Sequence, residues 1–185
     1  MRIREATVAD VDAIARVHVE AWRAAYPGLV PQAFMDSVTV ETRRALWREH
    51  FGAPRMRALV VEGAQGIEGF ASWGPAEDPE RSAVTAELQG IYLLPRAIGI
   101  GLGRALLARA TQDMATLGYE RAILWVLEAN ARARRFYEAA GWRWDGSAAQ
   151  HVFGDQTRPV VRYTVALEAT PGHVPGSHLP PVEGA

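Results

Sequence analysis

The chain has 185 residues, 49% of them hydrophobic and 22% charged, a composition that predicts one globular domain with a buried core. Its 20 basic and 21 acidic residues give a net charge of −1, so the overall charge does not favour a nucleic acid or an anionic membrane as partner. The chain has no cysteine, which excludes disulfides, thiolate metal sites and a thioacyl-enzyme intermediate.

Two further classes of protein are not expected from the sequence. The five histidines show no spacing typical of a metal site, so no bound metal is predicted. No apolar stretch approaches the roughly 20 residues that span a bilayer, and the first residues, MRIR, lead into a polar helix start rather than a signal peptide. We therefore expect a cytoplasmic protein without membrane association.

The predicted elements follow from periodicity and from helix-terminating residues. Thr7 and Asp10 can satisfy the amides of a first helical turn, and Pro27-Gly28 ends the helix that follows. Helices are predicted at residues 8–26, 32–37, 39–51, 104–117 and 131–140, and strands at 2–5, 57–62, 67–73, 86–94, 122–127, 142–144 and 160–167. Residues 74–82 and the segment between the last two strands are predicted as polar loops.

The order of these elements predicts the fold class. Helices come first, then a meander of antiparallel strands, then a β-α-β-α-β run, which together indicate an α/β (α+β) fold with a mixed sheet covered by helices on both faces. Residues 1–167 form the predicted single domain, and residues 168–185, rich in Pro and Gly, are predicted to be a flexible tail.

A glycine-rich turn lies between a predicted strand and a helix. Gly99, Gly101 and Gly103 let successive backbone amides converge at the start of the helix, an arrangement that binds anions. A dinucleotide site is the main rival, with Glu128 as its ribose-binding acid. The spacing GxGxG differs from GxGxxG, however, and residues 95–98 separate the turn from its strand, so the dinucleotide interpretation is rejected.

Two segments together resemble the GNAT superfamily of N-acetyltransferases. Residues 93–95 and 99–107, LLP and GIGLGRALL, are similar to its coenzyme A signature, and residues 130–142, NARARRFYEAAGW, are similar to its second motif. The resemblance covers roughly residues 1–167 and implies an acyltransferase that uses acetyl-CoA as cosubstrate. It also implies a mostly antiparallel sheet whose central parallel pair, residues 86–94 and 122–127, splays apart, and it allows a homodimer.

The resemblance implies which residues hold the cosubstrate. Backbone amides on the strand and in the glycine turn would hold the pantetheine arm and the phosphates, and Asn130 would contact the pantetheine. The implied cofactor-binding residues are Ile91, Tyr92, Leu93, Gly99, Ile100, Gly101, Leu102, Gly103, Arg104 and Asn130. Ile98 stands where the family usually has Gln or Arg, so the backbone amides are expected to carry most of the binding.

Acyl transfer to an amine requires a base for the amine and a proton for the departing thiolate. The resemblance places the Tyr137 hydroxyl near the coenzyme sulfur, as the acid; the structural alternative is a core tyrosine. Glu87, on the strand before the glycine turn, is the predicted base, although it is equally compatible with a solvent-facing residue paired to an arginine. Tyr26, Trp73 and Glu128 are predicted acceptor-site residues, and Glu128 is also an alternative base.

Two functions remain open at this stage. The first is direct acetyl transfer to an amine through a ternary complex, because no cysteine is available to carry the acyl group. The second is a catalytically idle domain of the same fold that binds acetyl-CoA as a sensor. The acceptor, whether a small molecule or a peptide, is not determined by the sequence, since acceptor loops vary on a shared scaffold.

Overall fold

The computed structural model describes residues 1–77 and 83–168. Its strands are β1 (Arg2–Glu5), β2 (Arg57–Gly63), β3 (Gly66–Pro75), β4 (Thr85–Leu93), β5 (Arg121–Leu127), β6 (Arg143–Phe153) and β7 (Gln156–Ala166). Its α-helices are α1 (Val11–Ala25), α2 (Gln32–Ser37), α3 (Val40–Gly52), α4 (Leu102–Thr116) and α5 (Ala131–Ala139). The predicted flexible tail lies, apart from Glu168, outside the described residues.

The strands form one seven-stranded sheet in the order β1-β2-β3-β4-β5-β7-β6. Every neighbouring pair is antiparallel except β4 and β5, which run parallel. Only three residue pairs join these two strands, from Thr85↔Arg121 to Glu87↔Ile123. Beyond Glu87 the strands separate, which confirms the expected mixed, mostly antiparallel sheet with a splayed parallel pair.

Helices cover both faces of the sheet, as predicted. On one face α4 and α5 pack through Leu106, Met114 and Tyr137 into a core that includes Ala71 and Leu124. On the other face, α1 and α3 pack through Ile14 and Trp47 against Val60 and Phe70. The burial of apolar side chains on both sides is the main stabilising contribution to such a layered fold.

The largest difference from the sequence prediction is at β6 and β7. Residues 142–144 were predicted as a short strand followed by a polar loop, whereas the structure has a long hairpin with β6 running to Phe153. Nearly all β6 side chains are exposed, because this strand is the edge of the sheet. A strand exposed on both faces lacks the apolar alternation by which strands are recognised.

Candidate active site

A cavity of about 1390 Å³ opens where β4 and β5 separate. Its lining joins the glycine turn, the divergent strand ends, the start of α5, the end of α1 and the β6–β7 hairpin. Among its lining residues are Trp22, Tyr26, Glu77, Glu87, Ile91, Tyr92, Leu93, Gly99, Gly101, Gly103, Arg104, Trp125, Asn130, Arg132, Tyr137, Gln150, His151 and Arg162. Residues separated by more than a hundred positions therefore face one space.

The three glycines of the turn have two different structural roles. Gly99 and Gly101 adopt φ values of +87° and +88°, a left-handed conformation that favours glycine, and Gly101 directly precedes the first residue of α4. Gly103 is needed for packing, since a Cβ atom there would lie 3.2 Å from Leu93 Cδ1. The turn thus aims backbone amides at the cavity while α4 packs closely on β4.

The free edge of β4 continues the same surface. Residues 88–93 of β4 pair with β3 alone, so the backbone groups on the side facing β5 have no strand partner there. Across the opening, the Asn130 side chain begins α5 by accepting a hydrogen bond from the Ala133 amide at 3.0 Å. An extended ligand arm between the strands can therefore reach unpaired amides and carbonyls of β4.

Tyr137 reaches the cavity from α5. The residue is 92% buried by packing near Trp142 and Tyr163, yet it lines the cavity. Its hydroxyl has no hydrogen-bond partner among the described residues. Burial raises the pKa of the Tyr137 hydroxyl well above its ordinary value, so the group holds its proton at neutral pH.

Glu87 occupies the point at which the two strands part. It is the last β4 residue paired with β5, and its neighbours Ala86 and Leu88 belong to the core on the α4 side. Strand alternation therefore directs Glu87 to the α1 side, where it lines the cavity. Burial raises the pKa of the Glu87 carboxyl, and the charge of the nearby Glu77 raises it further. A carboxyl group whose pKa lies closer to neutrality is a better general base.

Comparison with known proteins agrees with this geometry. A family model described as the acetyltransferase (GNAT) family matches residues 17–142, which is more than half of the chain. The chain belongs to the GNAT family. An uncharacterised N-acetyltransferase of Bacillus subtilis, YuaI, is 33% identical over 138 residues, covering 74% of this chain and 77% of YuaI.

Solved GNAT structures share the fold. The ribosomal-protein-alanine N-acetyltransferase of Brucella melitensis superimposes with a TM-score of 0.72 at 23% identity, covering 90% of this chain and 100% of that one. A phosphinothricin acetyltransferase of Sinorhizobium meliloti, solved with acetyl-CoA, gives a TM-score of 0.71 at 20% identity over 94% of this chain and 95% of that one. Family membership makes the chain an acyltransferase.

Two of the predicted acceptor-site residues of this GNAT chain do not line the cavity. Trp73 is 98% buried in the core on the α4 side, so it does not form part of an acceptor wall. Glu128 is exposed on the turn after β5, and its backbone carbonyl accepts a hydrogen bond from Arg134 at 3.2 Å. The sequence showed that Trp73 is on a strand but not which face of the sheet it occupies.

The remaining predicted residues fall into two groups. Tyr26 and Tyr92 line the cavity and their hydroxyl groups are 3.2 Å apart. Ile100 and Leu102 are not among the lining residues, and the Ile100 side chain is largely exposed.

One wall of the cavity was not predicted from the sequence. Trp125, Gln150, His151 and Arg162 form it on β5, β6 and β7. Trp125 was assigned to an interior strand, but it is 37% exposed and the Arg162 guanidinium lies over its ring at 5.6 Å. Arg162 also pairs with Asp145 at 2.7 Å, so its charge is already compensated. The apolar run around Trp125 carries no local signal that this side chain faces a cavity.

Within residues 1–77 and 83–168, no group of His, Asp or Glu side chains has the arrangement of a metal site. Over the same residues, no helix is long and apolar enough to cross a membrane.

Proposed function

We propose that this chain transfers an acetyl group directly from acetyl-CoA to a primary amine, with Glu87 as base and Tyr137 as acid. One observation carries the proposal: the glycine turn, the free edge of β4, Glu87 and Tyr137 all line a single cavity. The reaction requires a phosphate-binding turn, a carboxylate that can accept a proton and a hydroxyl that can donate one.

The residues at the phosphate end of the cavity fit a coenzyme. The left-handed Gly99 and Gly101 expose backbone amides, and Arg104 and Arg132 add positive charge from α4 and α5. Ile98 supplies no polar side chain at the first position of the turn. We infer that these amides and the two arginines hold the phosphates, while β4 and Asn130 hold the pantetheine arm.

Each proposed catalytic residue moves one proton. As the carbon–nitrogen bond forms and the carbon–sulfur bond breaks, the amine loses a proton to Glu87, directly or through a water. The Tyr137 hydroxyl donates its proton to the departing sulfur. Free backbone groups of β4 polarise the acetyl carbonyl, which stabilises the negative charge that develops on its oxygen.

Direct transfer in a ternary complex is favoured because the chain has no cysteine to hold the acetyl group. Initial rates measured while both substrates are varied should give intersecting double-reciprocal lines. Intact-mass measurement after incubation with acetyl-CoA alone should show an unchanged chain. An acetylated chain would be heavier by roughly 42 daltons. Parallel lines together with a stable adduct of this mass would contradict direct transfer.

The activity itself is tested by thiol release from acetyl-CoA across a panel of primary amines, with acetyl-CoA binding measured separately by calorimetry. We expect release that depends on one class of amine. Binding of acetyl-CoA without release for any amine would instead support the idle sensor domain, and absence of binding would contradict both functions.

A further inference from the structure

A cationic side chain occupies the buried stripe of α3. Arg43 lies one turn before Trp47, on the helix face that packs against the rest of the protein, and it is half-buried. Among the described residues it has no acidic partner, and its Nε atom is buried without a hydrogen bond. Buried charges are normally paired, because desolvation of an unpaired charge is costly.

The aromatic residue that Arg43 contacts is also short of a hydrogen-bond acceptor. The Arg43 guanidinium carbon lies 5.4 Å from the ring centroid of Trp22. The Trp22 indole nitrogen is buried without a hydrogen bond of standard geometry in the described part of the chain, although the Tyr92 hydroxyl lies close enough to interact with it. Native proteins satisfy most buried donors, so two unsatisfied donors in contact require an explanation.

A neighbouring histidine adds a third donor. His18 Nδ1 accepts a hydrogen bond from the Trp47 indole at 3.2 Å. Burial, and then the Arg43 charge, lower the pKa of His18 to about 3, so the ring is neutral and its hydrogen lies on Nε2. That nitrogen has no acceptor among residues 1–77 and 83–168.

A pair of tyrosines completes the group. The Tyr26 and Tyr92 hydroxyls share one hydrogen bond at 3.2 Å, which leaves one hydroxyl proton free to donate. The Tyr92 ring stacks on His18 with centroids 5.1 Å apart. We call Arg43, Trp22, His18, Tyr26 and Tyr92 the donor cluster. It holds a cation and several free donors but no carboxylate.

The donor cluster borders the active-site cavity, because Trp22, Tyr26 and Tyr92 line it. Glu77 and Glu87 line the same cavity. Arg43 and His18 are not among the lining residues and lie behind these aromatic side chains. The walls therefore offer carboxylates where the reacting amine has to be deprotonated and, elsewhere, hydrogen-bond donors that are backed by a cation. A molecule with both an amine and an anionic group complements this distribution.

We propose that the acceptor is an amino carboxylate, such as a free amino acid, and that the donor cluster binds its carboxylate. This inference rests on the proposed function, whose acceptor it specifies. A carboxylate presents two oxygens with about four acceptor positions, which matches the unsatisfied donors of the cluster. Its negative charge would also compensate Arg43.

Binding of the reaction products provides a direct test. N-acetyl-L-amino acids and their carboxamides differ only in the charged group, and calorimetry on the CoA-saturated protein measures the affinity for each. Charge-assisted hydrogen bonds are strong enough that we expect the acids to bind about tenfold or more tightly. Arg43→Gln should reduce this ratio to about twofold or less, and Arg43→Lys should recover part of it.

The neighbouring Arg44 provides a matched control. Its side chain pairs with Asp12 at 2.6 Å on the exposed side of α3, so Arg44→Gln should leave the ratio unchanged. If Arg43→Gln does not fold, Trp22→Phe removes the indole donor while it retains a smaller aromatic ring, and it should also lower the ratio.

Equal binding of acids and carboxamides by the parent protein would overturn the proposal, and would indicate that ordered water satisfies the cluster. Equal weakening of both ligands in Arg43→Gln would likewise overturn it, since that result indicates a structural role for Arg43. A strong preference for the acids without any acetyl transfer would support the binding site while contradicting the proposed function.

Discussion

Two neighbouring tyrosines show how burial alone does not define a functional residue. Their rings lie 6.5 Å apart and both are buried. The Tyr163 hydroxyl donates to Glu138 at 2.6 Å and accepts from Arg134 at 3.1 Å, so its hydrogen bonds are satisfied within the protein. The Tyr137 hydroxyl has no such partner in the described part of the chain, and it lines the cavity. Only Tyr137 is therefore available to a ligand.

Substitution of Tyr137 by Phe should lower kcat by roughly 100-fold or more, the usual contribution of a general acid. Acetyl-CoA affinity should change little, because the aromatic ring and its packing remain. Thiol-release kinetics and calorimetry measure the two quantities.

Tyr163→Phe is the matched control for this substitution. It removes a hydroxyl from the same region and should cost about 1–3 kcal/mol of unfolding free energy, since Glu138 and Arg134 lose a partner. Its kcat should stay near that of the parent. A Tyr137→Phe enzyme with the parent kcat would remove Tyr137 from the acid role.

Glu87→Gln should lower the rate without lowering the stability. As a base, Glu87 acts only when ionised, so the parent rate should fall as pH drops through its raised pKa. A carboxyl whose pKa is higher in the folded than in the unfolded state binds protons more readily when folded, and its ionisation at higher pH therefore destabilises the fold. Glutamine removes this cost, so thermal unfolding at pH 7 should occur at the same or a higher temperature.

The exposed Glu128 provides the comparison for Glu87. Because it lies outside the cavity, Glu128→Gln should preserve both the pH–rate profile and the stability. An unchanged acid limb of the pH–rate profile in Glu87→Gln would show that a water relay, rather than this carboxylate, accepts the proton.

At the scale of single elements, substitutions at the two ends of α4 distinguish an effect on ligand binding from an effect on helix stability. Gly101 and Gly118 both have φ near +88°, and a Cβ atom at either position would meet nothing within 4 Å. The left-handed backbone should make an Asp at either site cost about 1 kcal/mol of stability, and less at Gly101, where a carboxylate is favourable at the helix N-terminus. Only Gly101 lines the cavity, where a carboxylate would repel phosphate.

We expect Gly101→Asp to abolish acetyl-CoA binding, and Gly118→Asp to leave it near the parent value. Calorimetric titration of both variants measures this, with thermal melts as the check on folding. Retained affinity in Gly101→Asp would show that the amides of the turn do not hold the phosphates.

How well each element was predicted depended on whether its own residues carry the signal. The helix predicted at 104–117 and the strand at 122–127 match α4 and β5 closely, and Gly118 and Gly141 end their helices with positive φ as expected. These segments have a clear pattern of apolar residues, and a glycine ends each of the two helices. Strand β6 has neither, since its exposure on both faces leaves no apolar pattern.

The sequence alone did not predict which face of the sheet each strand residue occupies. Trp73 and Glu87 both lie on predicted strands, but a bulge between β3 and β4 and the partners of each strand decide which face each side chain occupies. The resemblance pointed to the turn and to Tyr137, which both line the cavity, because their signals are local motifs. The donor cluster brings together α1, α3 and β4, and no local pattern could reveal it.

At the scale of the whole molecule, the sheet consists of two parts. They are joined by the short paired segment of β4 and β5, Thr85↔Arg121 to Glu87↔Ile123, which we call the seam. Strands β1 to β4 form one antiparallel part and β5 to β7 form the other, with only three residue pairs between them. The cavity lies in the opening beyond the seam, so a ligand seated there contacts both parts. Ligands that bind only the folded state stabilise it by mass action.

Acetyl-CoA at about 100 times its Kd should stabilise the fold by about 2.7 kcal/mol, which for a chain of this size corresponds to a rise in Tm of roughly 5 to 10 °C. Hydrogen exchange should slow most at residues 88–93 and 99–104, where free amides face the cavity, and less in β1 and β2, where only the global stabilisation acts. The Gly101→Asp protein should show neither effect. Uniform protection across the whole sheet would instead indicate that the ligand stabilises the molecule globally, without bridging the seam.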